Sequence, residues 1–173
     1  MIYGTNQSDI LIGDSTNTTF YTNGGNDTVF PNSGFDIING GPGNDTLDYH
    51  NNNFSINFMT SNTISFLNGD LQTFQQIDIL VATKNSDQNL LPFANGCIIF
   101  GDSGNDIFTF SSFNGTLIGG SGTDLVNYYN ATSAMTIRLD QGTAVGYFKQ
   151  DNLVHIENAQ GSTFSDLIYG DSL

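Results

Sequence analysis

Basic residues are scarce in this chain of 173 residues, which holds 3 Lys or Arg against 17 Asp or Glu, for a formal net charge of −14. Because proteins bind phosphate backbones mainly through Lys and Arg, this balance argues against a nucleic acid partner. Cysteine occurs once, at Cys97, which excludes an internal disulfide, and we expect a small buried hydrophobic residue there. No apolar run reaches the about 18 residues of a membrane-spanning helix.

Glutamate is also nearly missing, since Glu157 is the only one and every other acid is Asp. An excess of Asp is typical of tight turns, where the short side chain bonds its own backbone or a metal. Residues 1–6 have neither a basic nor a long apolar stretch, so we expect no Sec-type signal peptide. Helical periodicity is hard to find, and Asn, Gly, Ser and Thr interrupt short apolar runs, which predicts strands and turns throughout.

A nonamer period organises residues 4–48. The sixth place of the successive nonamers holds Asp9, Thr18, Asp27, Asp36 and Asp45, and the eighth place holds the apolar residues Leu11, Phe20, Val29, Ile38 and Leu47. The same phase returns in residues 101–109, with Asp106, and in residues 119–127, with Asp124. The pattern G-G-x-G-x-D-x-U-x is the signature of a calcium-binding parallel β-helix repeat.

The chemistry of the period can be derived from its residue types. Glycine permits turns with positive φ and a close approach of the backbone to an ion. Such turns point carbonyl oxygens inward and Asp adds a carboxylate, which together suit Ca²⁺, a hard cation with six to eight oxygen ligands at about 2.3–2.6 Å. The three residues after each Asp form a short strand whose middle side chain points inward. The fold class predicted is therefore all-β, a parallel β-roll or β-solenoid with intervening strand segments.

If one nonamer is half a coil, turns on the same side lie two nonamers apart. This pairs Asp9 with Asp27, Asp27 with Asp45, and Asp106 with Asp124, whereas Asp36 is paired with Thr18 and should have a weak or incomplete site. The predicted metal ligands are the side chains of Asp9, Asp27, Asp45, Asp106 and Asp124, with the turn glycines Gly24, Gly25, Gly40, Gly41, Gly43, Gly101, Gly104, Gly119, Gly120 and Gly122. The alternative is that these Asp residues only cap turns through local hydrogen bonds, and it stays open above all for Asp9.

A longer repeat relates Asp27 to Asp106, Asp45 to Asp124 and Tyr49 to Tyr128, and we call this common spacing the long repeat. It predicts a first unit at 1–79, a second unit at 80–158 and the start of a third at 159–173, each with nonamers followed by a strand-rich segment. Within the first unit, Asn68-Gly69 is typical of a tight hairpin turn.

The nonamers GGPGNDTLD at 40–48 and GGSGTDLVN at 119–127 resemble RTX repeats, the calcium-binding β-rolls of secreted bacterial toxins, proteases, lipases and adhesins. Residues 156–162 and 165–171 resemble the linking sequences between such repeat blocks. The resemblance implies several Ca²⁺ ions held between stacked turns by Asp carboxylates and Gly-rich carbonyls. It also implies an extracellular or cell-surface bacterial location, with type I secretion and folding outside the cell.

An enzymatic function is not expected. The segment Gly101-Asp-Ser103-Gly resembles the neighbourhood of a serine protease nucleophile, but the nonamer at 101–109 already accounts for it. A catalytic serine also needs a histidine base nearby, and the two histidines, His50 and His155, lie in different structural contexts. The H-E-x-x-H motif of metalloproteases is absent. Three functions remain open: a structural or secretion repeat of an adhesin-like surface protein, a calcium-dependent head-to-tail filament, and a polysaccharide-binding module.

Overall fold

The computed structural model describes residues 1–171, and its commonest element is a three-residue strand with a single inward side chain. Strand Ile10–Ile12 shows the pattern, because its middle residue Leu11 is buried and both neighbours are exposed. Since consecutive side chains of a strand point to opposite faces, each short strand of this kind contributes one residue to the core. Burial of such a side chain contributes about 1.5–3 kcal/mol. The apolar residues predicted to point inward, Leu11, Phe20, Val29, Ile38 and Leu47, are all buried.

The strands form three sheets. One has the order β1 (Ile2–Tyr3), β3 (Thr19–Tyr21), β5 (Ile37–Asn39), β9 (Leu71–Gln75), β8 (Thr63–Phe66) and β7 (Ile56–Met59). A second has the order β19 (Leu167–Tyr169), β15 (Thr136–Arg138), β16 (Thr143–Val145), β17 (Gln150–Val154), β13 (Gly115–Ile118), β11 (Cys97–Phe100), β10 (Ile79–Val81), β6 (Thr46–Asp48), β4 (Thr28–Phe30) and β2 (Ile10–Ile12). The third has the order β12 (Ile107–Thr109), β14 (Leu125–Asn127) and β18 (Asn158–Gln160), and a single turn of 3₁₀ helix lies at Leu139–Gln141.

Two of these sheets lie along the same side of the molecule. The backbone N–H of Gln88 donates to the carbonyl of Ile56 at 2.8 Å, and Leu90 forms a parallel bridge with Phe108. Residues 88–90 thereby connect β7 with β12. We call the face formed by β1, β3, β5, β9, β8, β7, β12, β14 and β18 the first face, and the ten-stranded sheet the second face.

Successive coils stack in parallel, as the nonamer period predicts. Strand β2 pairs with β4 so that Leu11 lies opposite Val29, and β4 pairs with β6 so that Val29 lies opposite Leu47. The chain alternates between the two faces and returns to the same face every two nonamers. The predicted fold class, an all-β parallel β-roll with intervening strand segments, is confirmed.

The strand-rich segments are antiparallel hairpins whose last strand rejoins the roll. Strand β9 pairs antiparallel with β8 and parallel with β5, and β17 pairs antiparallel with β16 and parallel with β13. The predicted turn at Asn68-Gly69 is confirmed, because Gly69 has a φ of +92° and its N–H donates to the carbonyl of Phe66 at 3.0 Å. The first hairpin lies in the first face and the second hairpin in the second face.

The unit boundaries at 79 and 158 stay predictions, and residues 172–173 of the predicted third unit lie outside the described residues. Residues 1–171 contain no helix with the length and apolar character needed to cross a membrane.

Candidate metal sites

A row of carboxyl groups follows one edge of the roll, where the chain passes from the first face to the second. The backbone N–H of Asp9 donates to Oδ1 of Asp27 at 2.8 Å, and the N–H of Asp27 donates to Oδ1 of Asp45 at 2.9 Å. The N–H of Asp45 in turn donates to Oδ2 of Asp78 at 2.9 Å. We call these four residues the first row. The carboxylates of Asp27, Asp45 and Asp78 are thus each held in place by the backbone of the adjacent coil.

The opposite edge carries an equivalent row. The N–H of Asp87 donates to Oδ1 of Asp106 at 2.7 Å, the N–H of Asp106 to Oδ1 of Asp124 at 2.8 Å, and the N–H of Asp124 to Oε2 of Glu157 at 2.7 Å. We call these four residues the second row. Its geometry repeats that of the first row with the two faces exchanged.

Sequence reasoning missed three members of the rows, namely Asp87 at the start of the second row and the last member of each row. Asp78 and Glu157 each lie 33 residues after their partner, Asp45 or Asp124, because a hairpin is inserted between the two coils. The signal that could have found them is the shared position at the close of each strand-rich segment, after Ile77 in the first and after Ile156 in the second.

Four predicted ligands each keep one carboxylate oxygen without a partner. The Oδ2 atoms of Asp27, Asp45, Asp106 and Asp124 are buried and make no hydrogen bond, although Oδ1 of each accepts one. Burying an ionised oxygen without a partner costs several kcal/mol. A native fold rarely keeps such atoms unless a proton or a cation completes them.

The last glycine of each Gly-rich turn brings adjacent coils into contact. A Cβ at Gly43 would overlap the carbonyl oxygen of Gly25, and a Cβ at Gly122 would overlap the carbonyl oxygen of Gly104. Both positions also have φ values, 147° and 145°, that side chains disfavour. Only glycine allows the carbonyl oxygens of one turn to approach the next turn so closely.

The other turn glycines line the same narrow space. A Cβ at Gly41 would overlap the carbonyl oxygen of Asn23, and a Cβ at Gly120 that of Asp102. Further glycines lie beside the unpartnered oxygens, since a Cβ would crowd Oδ2 of Asp45 at Gly40, of Asp106 at Gly101 and of Asp124 at Gly119. A Cβ at Gly25 or Gly104 would meet the carbonyl oxygen of Gln7 or Asn85, whereas at Gly24 the nearest oxygen, that of Pro42, would lie 3.7 Å away.

Burial shifts the protonation of these carboxyl groups. Desolvation raises the pKa of Asp106 to about 8, and the nearby carboxylates of Asp87 and Asp124 add to the rise. Desolvation also raises the pKa of Asp45 to about 6, against the opposing hydrogen bond from Asp27, and raises the pKa of Asp124. In the absence of a cation, the fold therefore favours protons on Asp45, Asp106 and Asp124.

The donor set fits calcium. No group of three or more His, Cys, Asp or Glu side chains within residues 1–171 is arranged to hold a metal ion, so carboxylates alone would not complete a shell. Backbone carbonyl oxygens lie near three of the unpartnered carboxylate oxygens, since a Cβ at Gly40, Gly101 or Gly119 would meet both the Oδ2 atom of Asp45, Asp106 or Asp124 and a carbonyl oxygen, that of Gln76, Gly119 or His155 respectively. Hard oxygen donors of this kind, mixed between carboxylate and carbonyl, are those that Ca²⁺ prefers.

Asp9 differs from the other predicted ligands. It is only partly buried, and its Oδ2 accepts hydrogen bonds from the N–H of Thr5 at 2.6 Å and from the Thr5 hydroxyl at 2.8 Å. These bonds lower the pKa of Asp9. Local turn capping therefore accounts for this carboxylate, and a metal-binding role for Asp9 stays a prediction.

Residues set aside in the sequence have ordinary structural roles. Cys97 is buried, and burial raises the pKa of its thiol. The hydroxyl of Ser103 donates to the carbonyl of Lys84 at 3.3 Å, and Ser103 forms a parallel bridge with Ser121 in the next coil. His50 pairs with Asp48 through Nδ1 at 2.7 Å.

The chain was compared with known proteins. A family model described as the RTX calcium-binding nonapeptide repeat (4 copies) matches residues 3–38, 21–53 and 98–117. The search of curated proteins finds no match. Ten chains of solved structures match, among them the extracellular lipase LipA from Serratia marcescens, with 16% identity and a TM-score of 0.40 over 88% of this chain and 37% of that chain. The chain thus spans 37% of the length of that lipase.

Proposed function

The chain contains RTX calcium-binding nonapeptide repeats, and we propose that it is a non-enzymatic, extracellular module that folds when calcium binds. Repeats of this kind imply a calcium-binding β-roll with a structural rather than a catalytic role. It acts as a structural or secretion repeat of an adhesin-like protein at the bacterial surface, exported by type I secretion. Its ligands are Asp27, Asp45, Asp106 and Asp124, together with the carbonyl oxygens of the Gly-rich turns.

The observation that carries this proposal is the set of four buried Oδ2 atoms without protein partners, arranged in two rows. One hydrogen-bond acceptor without a donor could be a local defect, but the same defect in successive coils on both edges indicates a repeated ligand. Ca²⁺ ions bound at these positions would supply the missing partner of every one of these oxygens. A bound ion would also join adjacent turns, which stabilises the stacking of one coil on the next.

The charge of the chain supports folding coupled to calcium. A net charge of −14 in 173 residues opposes compaction unless counter-cations are bound. Because the carbonyl and carboxylate ligands converge only in the stacked coils, calcium would bind the folded state and stabilise it by mass action. Extracellular calcium modules commonly have dissociation constants of about 10⁻⁴–10⁻³ M, which suits unfolding inside a cell and folding outside.

The test is a calcium titration of chelated protein, followed by circular dichroism and light scattering on the same sample. We expect the β signal to rise near millimolar calcium without added scattering. The variant Asp45→Asn retains the hydrogen-bonding oxygen but loses the charge, and we expect its midpoint to move to at least about 10-fold higher calcium. Asp171→Asn is the matched control, since it removes the same charge from an exposed position. A chain that is fully folded in chelator and unchanged by calcium would contradict the proposal.

The end strands favour a second candidate, a head-to-tail filament. Ile10 and Ile12 of β2 are 72% and 63% exposed, and Leu167 and Ile168 of β19 are 56% and 48% exposed, at the two edges of the second face. An exposed strand edge is a template for pairing with another chain. In the same titration, scattering that grows together with the β signal would favour this filament over the monomeric module.

A further inference from the structure

The chain contains five Asn-Gly pairs, a dipeptide that reacts with itself when its backbone is free. The backbone nitrogen of the glycine attacks Cγ of the preceding Asn side chain, because glycine has no side chain to hinder the approach. A bond forms between that nitrogen and Cγ, ammonia leaves, and water then opens the resulting succinimide ring to Asp or isoaspartate. The five pairs are Asn23-Gly24, Asn39-Gly40, Asn68-Gly69, Asn95-Gly96 and Asn114-Gly115.

In four of the pairs, the reacting nitrogen is held by the stacking of the roll. Each of these glycine N–H groups donates to an acceptor on another strand or turn, so the bond exists only while neighbouring coils are packed together. The bonds join Gly24 to the carbonyl of Thr5 at 3.3 Å, Gly40 to that of Gln75 at 3.0 Å, Gly96 to that of Asn114 at 2.9 Å, and Gly115 to Oδ1 of Asp151 at 2.9 Å.

Three of the asparagine side chains in these four pairs are also held across coils. Nδ2 of Asn23 donates to the carbonyl of Gly4 at 2.7 Å. Oδ1 of Asn95 accepts the N–H of Asn114 at 3.1 Å, and Oδ1 of Asn114 accepts the N–H of Gln150 at 2.9 Å. The nitrogen and the Cγ atom that would react are therefore fixed by separate partners, and they meet only if the coils separate.

The pair at the tip of the first hairpin is held differently. The N–H of Gly69 donates to the carbonyl of Phe66 at 3.0 Å, within the same turn. Both Asn68 and Gly69 are exposed, and a Cβ at Gly69 would meet no atom of residues 1–171 within 4 Å, which leaves room for the succinimide ring. Local opening of an exposed turn costs much less free energy than separation of stacked coils.

The Asn68 side chain helps to hold the hairpin against the roll. Its Nδ2 donates to Oδ2 of Asp70 at 2.7 Å, and the same oxygen accepts the N–H of Gly34 at 3.0 Å. Conversion of Asn68 to Asp would remove the amide donor and place a second negative charge beside Asp70, which is unfavourable at this distance. Conversion to isoaspartate would also add a methylene group to the main chain of a tight turn.

We propose that Asn68 is a site of spontaneous deamidation in the folded protein, and that stacking of the coils protects the other four Asn-Gly pairs. The reaction consumes only water and releases ammonia, so it requires no enzyme or cofactor. The hairpin is therefore modified first, and the roll becomes reactive only when its coils separate. Since Asn23 and Asn39 directly precede Gly-rich turns, modification of the unfolded chain would damage those turns irreversibly.

The test is peptide mapping by mass spectrometry after long incubation of the unmodified protein in water enriched in ¹⁸O, at mildly alkaline pH. The isotope marks only residues converted during the incubation. In calcium, we expect labelled Asp and isoaspartate at position 68, and conversion at least about 100-fold slower at the other four pairs, because reaction there requires the open state. In urea, all five pairs should convert at comparable rates. Equal rates at the five pairs in the folded protein, or no conversion at position 68, would overturn the inference.

The same incubation in chelator distinguishes this inference from the proposed function. If calcium drives folding, the four protected pairs should convert in chelator at the rate seen in urea. If those four stay protected in chelator while position 68 still converts, the inference is supported and folding on calcium is contradicted.

Two variants and a control test the site itself. Asn68→Gln retains an amide but forms the cyclic intermediate far more slowly, and it should lose the label at position 68 without a change in the circular dichroism spectrum. Asn68→Asp reproduces the modified side chain and should lower the midpoint of urea unfolding. Asn53→Asp, an exposed change of equal charge, should leave the midpoint nearly unchanged. Equal midpoints for Asn68→Asp and Asn53→Asp would contradict the role of Asn68 beside Asp70.

Discussion

Removal of calcium should reverse the usual dependence of stability on pH. Burial raises the pKa of Asp36, Asp45 and Asp87 to about 6 and that of Asp106 to about 8, each from an ordinary value of 3.8. For a carboxyl group whose pKa is raised by folding, the folded state binds more protons than the unfolded state between the two pKa values. Stability is therefore complete below about pH 4 and is lost as the pH rises through 4 to 8.

The magnitude follows from the size of the shifts. A group whose native pKa lies about two units above its unfolded value costs about 3 kcal/mol when it ionises. Screening by solvent at the edges of the roll reduces this cost, and we expect a total loss of about 3–6 kcal/mol between pH 5 and pH 8. This is a large part of the about 5–15 kcal/mol that stabilise a typical domain. The pKa values of Asp9, which is partly buried, and of exposed Asp14 are lowered, so these two groups affect stability below pH 4, outside this range.

Urea unfolding followed by circular dichroism in metal-free buffer would measure this effect at pH 5, 6, 7 and 8. We expect the unfolding midpoint to fall with each step in pH. The fall should be smaller in Asp106→Asn, because Asp106 has the largest rise in pKa of the four groups. The exposed control Asp171→Asn removes the same charge and should retain the slope, which separates burial from overall repulsion. With saturating calcium the trend should reverse, because the ion competes with protons for the carboxylates. A metal-free midpoint that rises from pH 5 to pH 8 would refute the reasoning.

Two further predictions concern close contacts. Gly43→Ala places a Cβ against a carbonyl oxygen of the preceding turn and should destabilise the calcium-loaded protein by about 2–4 kcal/mol, whereas Gly69→Ala, which has open space, should cost only about 1 kcal/mol of backbone strain. Thermal unfolding of both variants in calcium would compare them, and equal losses would contradict the close approach of the turns. Tyr128→Phe leaves a charged acceptor on Asp151 and should cost about 1.5–3 kcal/mol, more than the about 0.5–1.5 kcal/mol of Tyr49→Phe, whose acceptor is a neutral amide. Urea midpoints of the two variants would test this order, and a larger loss for Tyr49→Phe would contradict it.

The nonamer period was sufficient to predict the coils. Because an inward side chain must recur once per strand, the apolar eighth place identified the core residues, and the spacing of two nonamers identified which strands pair. The sequence also predicted that Asp27, Asp45, Asp106 and Asp124 lie in the turns between strands, since each follows its glycines within a single turn. These features depend on residues close together in the sequence or related by a short, regular period.

Contacts that depend on the hairpins could not be predicted from the nonamer period. The contacts of Asp45 with Asp78 and of Asp124 with Glu157 span 33 residues, because an inserted hairpin displaces the next coil along the sequence. The ion pair between Lys149 and Asp151 could not be predicted from the sequence for a related reason. Its surroundings form only when β17, the last strand of the second hairpin, pairs with β13 of the roll. A regular period predicts stacking only as far as the first insertion.

The placement of the two hairpins on opposite faces gives the repeat a screw symmetry. Strand β9 joins the first face and strand β17, its equivalent in the second hairpin, joins the second face, so advancing by one long repeat also rotates the chain by half a turn about the roll axis. In an array of such repeats, the hairpins would lie alternately in one face and in the other. A flat partner lying along one side would then meet only every second hairpin, and two such partners could be held apart by one roll.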